Sequence, residues 1–229
     1  FLTWDSAYYN RVTDCGWFGD ALKLSPWQTF TKDVVLTILI FFIGYKIKFI
    51  KPITRTLLPG KTVFWSLVLS AFITYYVLAH LPIIDFRAYA IGKSISEGMK
   101  YKDDGKIPPV HDFMLENAQN DLAPQILKMK KVMLVIMSSL EKSNYKAFPD
   151  VKKAAEEAIK KGYKVYGVSA SFTDIIDMTT KKFKLPFEVL FCDETTLKTM
   201  IRANPGILIL NKGTVVNKKN WTDIDDVEL

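Results

Sequence analysis

Apolar positions along this chain follow two regimes, running together in the first 85 residues and coming in short runs between charged, periodic stretches after residue 120. Val34 to Tyr45 is apolar but for Thr37 and is extended by Trp27, Phe30, Ile47, Phe49 and Ile50. As a helix, Trp27 to Ile50 would reach roughly 36 Å, enough for a hydrocarbon layer of about 30 Å. Val63 to Ala79 carries no charge, and Pro82 marks where a helix should loosen. The pattern therefore predicts two transmembrane helices, Thr29 to Ile50 and Val63 to Ile84, with Lys32 and Asp33 snorkelling in the outer turn of the first. Trp27, Tyr45, Tyr75 and Tyr76 are expected as amphipathic anchors toward the interfaces, though Tyr75 and Tyr76 could equally pack against other helices.

The later pattern alternates in type. Lys131 to Met137, Tyr163 to Ser169, Glu188 to Cys192 and Gly206 to Leu210 read as buried strands rich in β-formers. Ala147 to Lys161, closed by Gly162, then Thr173 to Phe183 and Thr195 to Ala203 read as helices between them. Asn211-Lys-Gly213 makes a tight turn into a last strand, Thr214 to Val216. Strand and helix in alternation, ending in a hairpin, imply an α/β sandwich with a mostly parallel sheet and an antiparallel edge.

Charge gives the membrane half an orientation. Lys46, Lys48, Lys51, Arg55 and Lys61 lie between the apolar stretches without an acidic residue, whereas residues 1 to 33 mix Arg11, Lys23 and Lys32 with Asp5, Asp14, Asp20 and Asp33. A short, purely basic connector, 51–61, marks the cytoplasmic side and argues against two buried helices of a soluble core. Both ends of the given sequence are then expected outside the cytoplasm, in the periplasm of a bacterium with an inner membrane. The net charge of +7 lies in lysines spread along helix faces and the connector, with no helix-turn-helix or aromatic-basic pattern beside them, so nucleic acid is not expected as a partner.

Tyr163-Lys-Val-Tyr-Gly-Val-Ser-Ala-Ser171, Phe183-Lys-Leu-Pro-Phe187 and Ala203-Asn-Pro-Gly-Ile-Leu-Ile-Leu-Asn-Lys-Gly-Thr214 resemble the thioredoxin-like branch that includes periplasmic thiol-disulfide proteins and peroxiredoxins. The resemblance implies that Pro205 occupies the fold's cis-proline position. It also implies a Cys-x-x-Cys after the first strand, where a helix N-terminus would lower the thiol pKa. Here that stretch reads Ser138-Ser-Leu-Glu-Lys-Ser-Asn144. No thiol is available, which excludes disulfide exchange and peroxidase chemistry at this position; Ser138, Ser139 and Ser143 are expected to cap the following helix rather than act as nucleophiles.

Asp14-Cys-Gly-Trp-Phe-Gly-Asp20, followed by Trp27-Gln-Thr-Phe and Lys32-Asp33 into a span, resembles the external loop of DoxX and MauE-like membrane proteins, in which a second cysteine commonly stands where this chain has Trp17. With Leu81-Pro-Ile-Ile-Asp-Phe-Arg87 joining the halves, the whole resembles bacterial DoxX-type proteins with a C-terminal thioredoxin-like domain. The expected fold class is a membrane α-helical segment of two transmembrane helices followed by an α/β thioredoxin-like domain lacking Cys-x-x-Cys. The expected organisation is 1–85 external loop and spans, 86–120 linker, and 121–229 periplasmic domain. Only the last two of the resembled family's four helices are present, so two further helices upstream of Phe1, or helices lent by a partner, are expected.

The chain has two cysteines, Cys15 and Cys192. Cys192 falls in a strand and reads as an inert packed thiol; Cys15 lies in the external loop and reads as structural or a relic, with mixed-disulfide formation as the redox alternative. His80 and His111, some thirty residues apart, have no ligand array at metal spacing. Gly60-Lys-Thr62 lacks the first glycine of a phosphate loop, because Arg55 stands there. No metal, cofactor or small-molecule substrate is expected. The function this supports is a non-catalytic accessory or structural subunit of a bacterial inner-membrane assembly, with the lipid bilayer and other membrane subunits as partners; the alternative is a membrane thiol-disulfide protein using Cys15 with a partner's cysteine.

Overall fold

The computed structural model describes residues 2–9, 25–51, 58–101, 108–117 and 119–226, and divides into two compact units, Phe1–Ile73 and Thr74–Leu229. Cys15, Trp17 and the rest of the loop around them lie outside the described residues, as do 52–57 of the connector and 102–107 of the expected linker.

The first unit contains α1 (Leu2–Tyr9), α2 (Pro26–Lys46) and the greater part of α3 (Leu58–Ala79). α1 packs beside α2, with Ala7 and Thr29 buried. α2 starts at a complete capping box: the Gln28 amide donates to Ser25 Oγ, and the Ser25 amide donates to Gln28 Oε1 at 2.9 Å. Pro26 at the first helical position needs no hydrogen-bond donor. Thr31 and Thr37 turn their hydroxyls onto the carbonyls of Trp27 and Asp33, so these polar side chains are satisfied within the helix. One described helix, over Gly60–Ala79, is long and apolar enough to cross a membrane by length and composition. It is apolar on all sides, which in a helix means either a protein core or lipid around it, and none of that window is buried in protein. The expected anchors Trp27, Tyr45, Tyr75 and Tyr76 are all exposed.

The second unit is built on a five-stranded sheet in the order β3-β2-β1-β4-β5, comprising β1 (Val132–Met137), β2 (Lys164–Ser169), β3 (Glu188–Phe191), β4 (Gly206–Asn211) and β5 (Thr214–Asn220). β1, β2 and β3 are mutually parallel, whereas β4 runs antiparallel to both β1 and β5. All six residues of β1 are fully buried. Val132, Leu134 and Ile136 enter one core; Met133, Val135 and Met137 enter the other, as the two-residue period of a strand demands when both faces are covered. α6 (Phe148–Lys160) and α7 (Thr173–Phe183) cover the second face, and α5 (Ala123–Ile126) and α8 (Glu194–Met200) the first. This parallel β-α-β unit, closed by an antiparallel hairpin, makes a thioredoxin-like α/β domain.

Two sequence expectations differ from the structure in instructive ways. The stretch read as a linker, 86–120, supplies Tyr89, Ile95, Val110, Phe113 and Leu115 to the first core; the short α4 (Ile95–Gly98) within it is capped by Ser94. The second apolar stretch, read to Ile84, is helical only to Ala79. Its last carbonyl accepts from Asn220 Nδ2 at 2.7 Å and Thr222 Oγ1 at 2.6 Å, while His80 Nδ1 lies 2.7 Å from Asp223 Oδ1. Partners from the end of β5 thus stop the helix where its own backbone has none to offer.

Below that point Asp85 is held between two cations. Arg87 Nε donates to Asp85 Oδ1 at 2.9 Å, and Lys218 Nζ to Oδ2 at 2.7 Å, with the lysine side chain 3% exposed. Burial alone would raise the Asp85 carboxyl, but the hydrogen bonds from Arg87 and Lys218 outweigh it and hold the group well below the usual carboxylate range. The stability this contributes is fully present above the unfolded aspartate value near 4 and is lost as pH falls through the lower folded value. Asp85→Asn, which leaves Lys218 buried without its counter-charge, should cost about 3–5 kcal/mol. Urea unfolding at pH 7 checks this, and the gap between variant and parent should narrow as the pH is taken below 4.

Candidate functional site

In an open α/β sheet the loops beyond the carboxyl ends of the parallel strands form the natural crevice. Here those loops are 138–147 after β1 and 170–172 after β2, and the Asn204-Pro205 segment entering β4 lies beside them because Gly206 pairs with Ile136. The Asn204-Pro205 peptide is cis. Met137, the last residue of β1, delivers the chain into Ser138, which is buried, and Ser139.

A polar network fills the position. Ser143 Oγ donates to Asn204 Oδ1 at 2.7 Å, and Asn204 Nδ2 donates to the Ser139 carbonyl at 2.8 Å. The Asn144 amide donates to the Asn204 carbonyl at 3.3 Å. Ser139 Oγ and Ser171 Oγ both donate to Glu141 Oε2, at 2.7 and 2.8 Å, while the Leu140 amide donates to Ser171 Oγ at 2.8 Å. The hydroxyl of Ser139, the Glu141 backbone amide and the hydroxyl of Ser171 together hold the Glu141 carboxyl below its ordinary value.

The chemistry this allows is limited. A general base for a serine must be able to take its proton near the working pH, and a carboxylate already stabilised by two hydroxyls is a weak one. Its hydrogen bonds instead tie the β1 loop to the β2 loop, as Asn204 ties the β1 loop to the entry of β4. Among the described residues no group of three or more His, Cys, Asp and Glu side chains could hold a metal ion.

Of the residues singled out in the sequence, the structure brings Ser138, Ser143 and Pro205 to one end of the sheet, and Cys15 and Trp17 fall outside the described residues. The serines do not cap the next helix. Asn144 does that for the turn leading in, its Oδ1 accepting from the Lys146 amide at 3.1 Å, and α6 begins behind it without a side-chain cap. Sequence reasoning did not single out Glu141, Ser171 or Asn204. The one signal available was position: Asn204 directly precedes Pro205, and Ser171 directly follows the strand beside β1.

Cys192, just past β3, is 2% exposed, and burial, with the Asp193 carboxylate beside it, pushes its thiol up to about 12. A thiolate is then essentially absent at neutral pH.

No family model and no curated protein matches the chain. Solved structures that are similar include a thiol:disulfide interchange protein from a Bacteroides species, at 17% identity, covering 50% of this chain and 82% of that one with a TM-score of 0.39. StoA from Bacillus subtilis matches at 19% identity over 47% of this chain and 86% of its own, TM-score 0.37. The thioredoxin domain of a thiol-disulfide oxidoreductase from Bacteroides vulgatus matches at 19% over 46% and 80%, TM-score 0.37. The thioredoxin-like character of this unit is carried by its strand order and terminal hairpin.

Maleimide labelling of the folded chain at pH 7, read by peptide mass, should leave Cys192 unmodified until denaturant is added; prompt labelling in the native state would contradict its burial.

Proposed function

We propose that this chain is a non-catalytic accessory subunit of a bacterial inner-membrane assembly, in which a redox-inactive thioredoxin-like domain, held outside the cytoplasm, serves as a protein-binding module. The observation that carries the reading is the substitution of a closed Ser-Glu-Asn network for a dithiol at the end of β1. Every polar side chain in that network has its partner inside the protein, so the position keeps the shape of the fold's reactive corner while offering no nucleophile of suitable acidity.

Three features support the membrane side of the reading. The helix over Gly60–Ala79 is apolar around its whole circumference, the segment before it is basic without acids, and the loop at Asp14 to Asp20 resembles that of DoxX and MauE-like proteins. On the positive-inside rule the connector faces the cytoplasm, which puts α2 across the membrane as well and the thioredoxin-like unit on the outer side. Two spans have little packing surface to share in lipid, and so further helices from an assembly belong to the reading.

With Cys192 buried, Cys15 is the one thiol left to a redox alternative. Native mass spectrometry of gently solubilised membranes should find the chain in a complex with other subunits, and Cys15→Ser should leave that complex and the membrane's trapped disulfides unchanged. A stable lone monomer sinks the accessory reading; loss of a mixed-disulfide partner in the variant turns the assignment to thiol exchange.

A further inference from the structure

Lysines that look dispersed along the sequence are gathered by the fold at one pole of the sheet, opposite the Ser-Glu-Asn network. The chain arrives at β1 through Lys128, Lys130 and Lys131, at β2 through Lys161 and Lys164, and turns from β4 to β5 through Lys212; all six are exposed. Hydrogen bonds fix their proximity: the Lys164 amide donates to the Lys131 carbonyl at 3.0 Å, the Lys212 amide to the Met129 carbonyl at 2.8 Å, and Lys131 Nζ to the Lys161 carbonyl at 3.2 Å. The segments 128–131, 161–164 and 211–214 contain no carboxylate, and none of the six lysines takes part in an ion pair among the described residues. Elsewhere on the same unit lysines do pair, as half-buried Lys152 with Glu156 and exposed Lys198 with Glu194.

Concentrated like charge without an ion pair among the described residues costs self-repulsion, and it sets up a field that attracts an opposite surface and speeds encounter with it. We propose that this basic pole is a docking surface for an acidic protein segment. The proposal rests on the accessory reading and deepens it by giving the partner a charge and the domain a binding face.

Within the second unit the lysines lie away from Ala79, the last residue of the apolar helix. The apolar helix ends at Ala79, whose carbonyl is held by Asn220 and Thr222 at the far end of β5 from Lys212. Seven residues of strand span about 23 Å, while the field of a charged surface at physiological salt decays over about 8 Å. The separation along β5 exceeds that length about threefold, which favours a protein segment over lipid near Ala79 as the source of the opposing charge, and the vesicle arm of the test separates the two.

The test uses the full chain in nanodiscs of zwitterionic lipid, with poly-L-glutamate as probe and fluorescence anisotropy as readout. Binding should weaken steeply with added salt. Changing Lys128, Lys130, Lys164 and Lys212 together to Glu should reduce affinity at least tenfold, whereas changing Lys146, Lys153, Lys181 and Lys184, which lie outside the pole, should alter it less than twofold. Thermal unfolding checks that both variants are folded, and Lys→Gln at the same four positions serves if the charge reversal does not fold. Equal losses from the two sets would show that net charge alone governs binding and overturn the proposal. So would tighter retention on phosphatidylglycerol vesicles or duplex DNA than on poly-L-glutamate. Loss of probe binding with the membrane assembly intact speaks for the pole, while a lone monomer in native mass spectrometry speaks against the accessory reading, so the two fail separately.

Discussion

The second unit depends on the burial of β1 on both faces. Six consecutive apolar side chains, alternating between two cores, cannot be exposed on either side without losing about 25 cal/mol for each Å² returned to water. That requirement recruits helices to both sides of the sheet and makes β1 its centre, paired with β2 on one side and β4 on the other. It also fixes where chemistry could sit. A strand with no exposed face can present functional groups only at its ends, and at its carboxyl end the neighbours are the loop after β2 and the entry to β4. The meeting of Ser139, Glu141, Ser143, Ser171 and Asn204 follows from strand order before any of those side chains is considered.

What the sequence revealed and what it hid divide along the same line. Segments whose burial is repetitive were legible: the apolar run of β1, the helical spacing of α6 with Gly162 in a left-handed conformation behind it, and α7, read with the bounds the structure gives. Segments whose burial depends on one distant partner were not. β5 continues to Asn220 rather than stopping at Val216 because Lys218 reaches Asp85 and the Tyr89 carbonyl, and Asn220 reaches the Ala79 carbonyl. A lysine and an asparagine carry no local sign of such partners. The same holds for 89–115, where glycine, proline and charge suggested a path over the surface, yet Tyr89, Ile95, Phe113 and Leu115 are buried at wide intervals.

The candidate site was half legible for a related reason. That cysteine is missing after β1 can be read from the residues alone, and so can Pro205 before β4. That the serines are spent on Asn204 and Glu141 instead of on a helix N-terminus cannot, because the competition is decided by which acceptor lies nearer in space. Asn144, one residue further on, takes the capping role by its own short-range geometry, which frees Ser143 for Asn204. A capping preference is a tendency of about 1 kcal/mol, easily overridden where a half-buried side-chain amide such as that of Asn204 would otherwise lose its partners.

The hydrogen bonds at Ala79 give the domain a polarity that its sheet alone lacks. A thioredoxin-like sheet has two ends of differing chemistry. Here the carbonyl ending the apolar helix is taken by Asn220 and Thr222, and Asn220 pairs across the hairpin with Gly206, next to Pro205. The end of the sheet bearing the Ser-Glu-Asn network is therefore the end that holds the Ala79 carbonyl, and the lysines lie at the other end. At the end that holds the Ala79 carbonyl the polar side chains of the network find their partners within the protein. Its unsatisfied electrostatics lie at the other end.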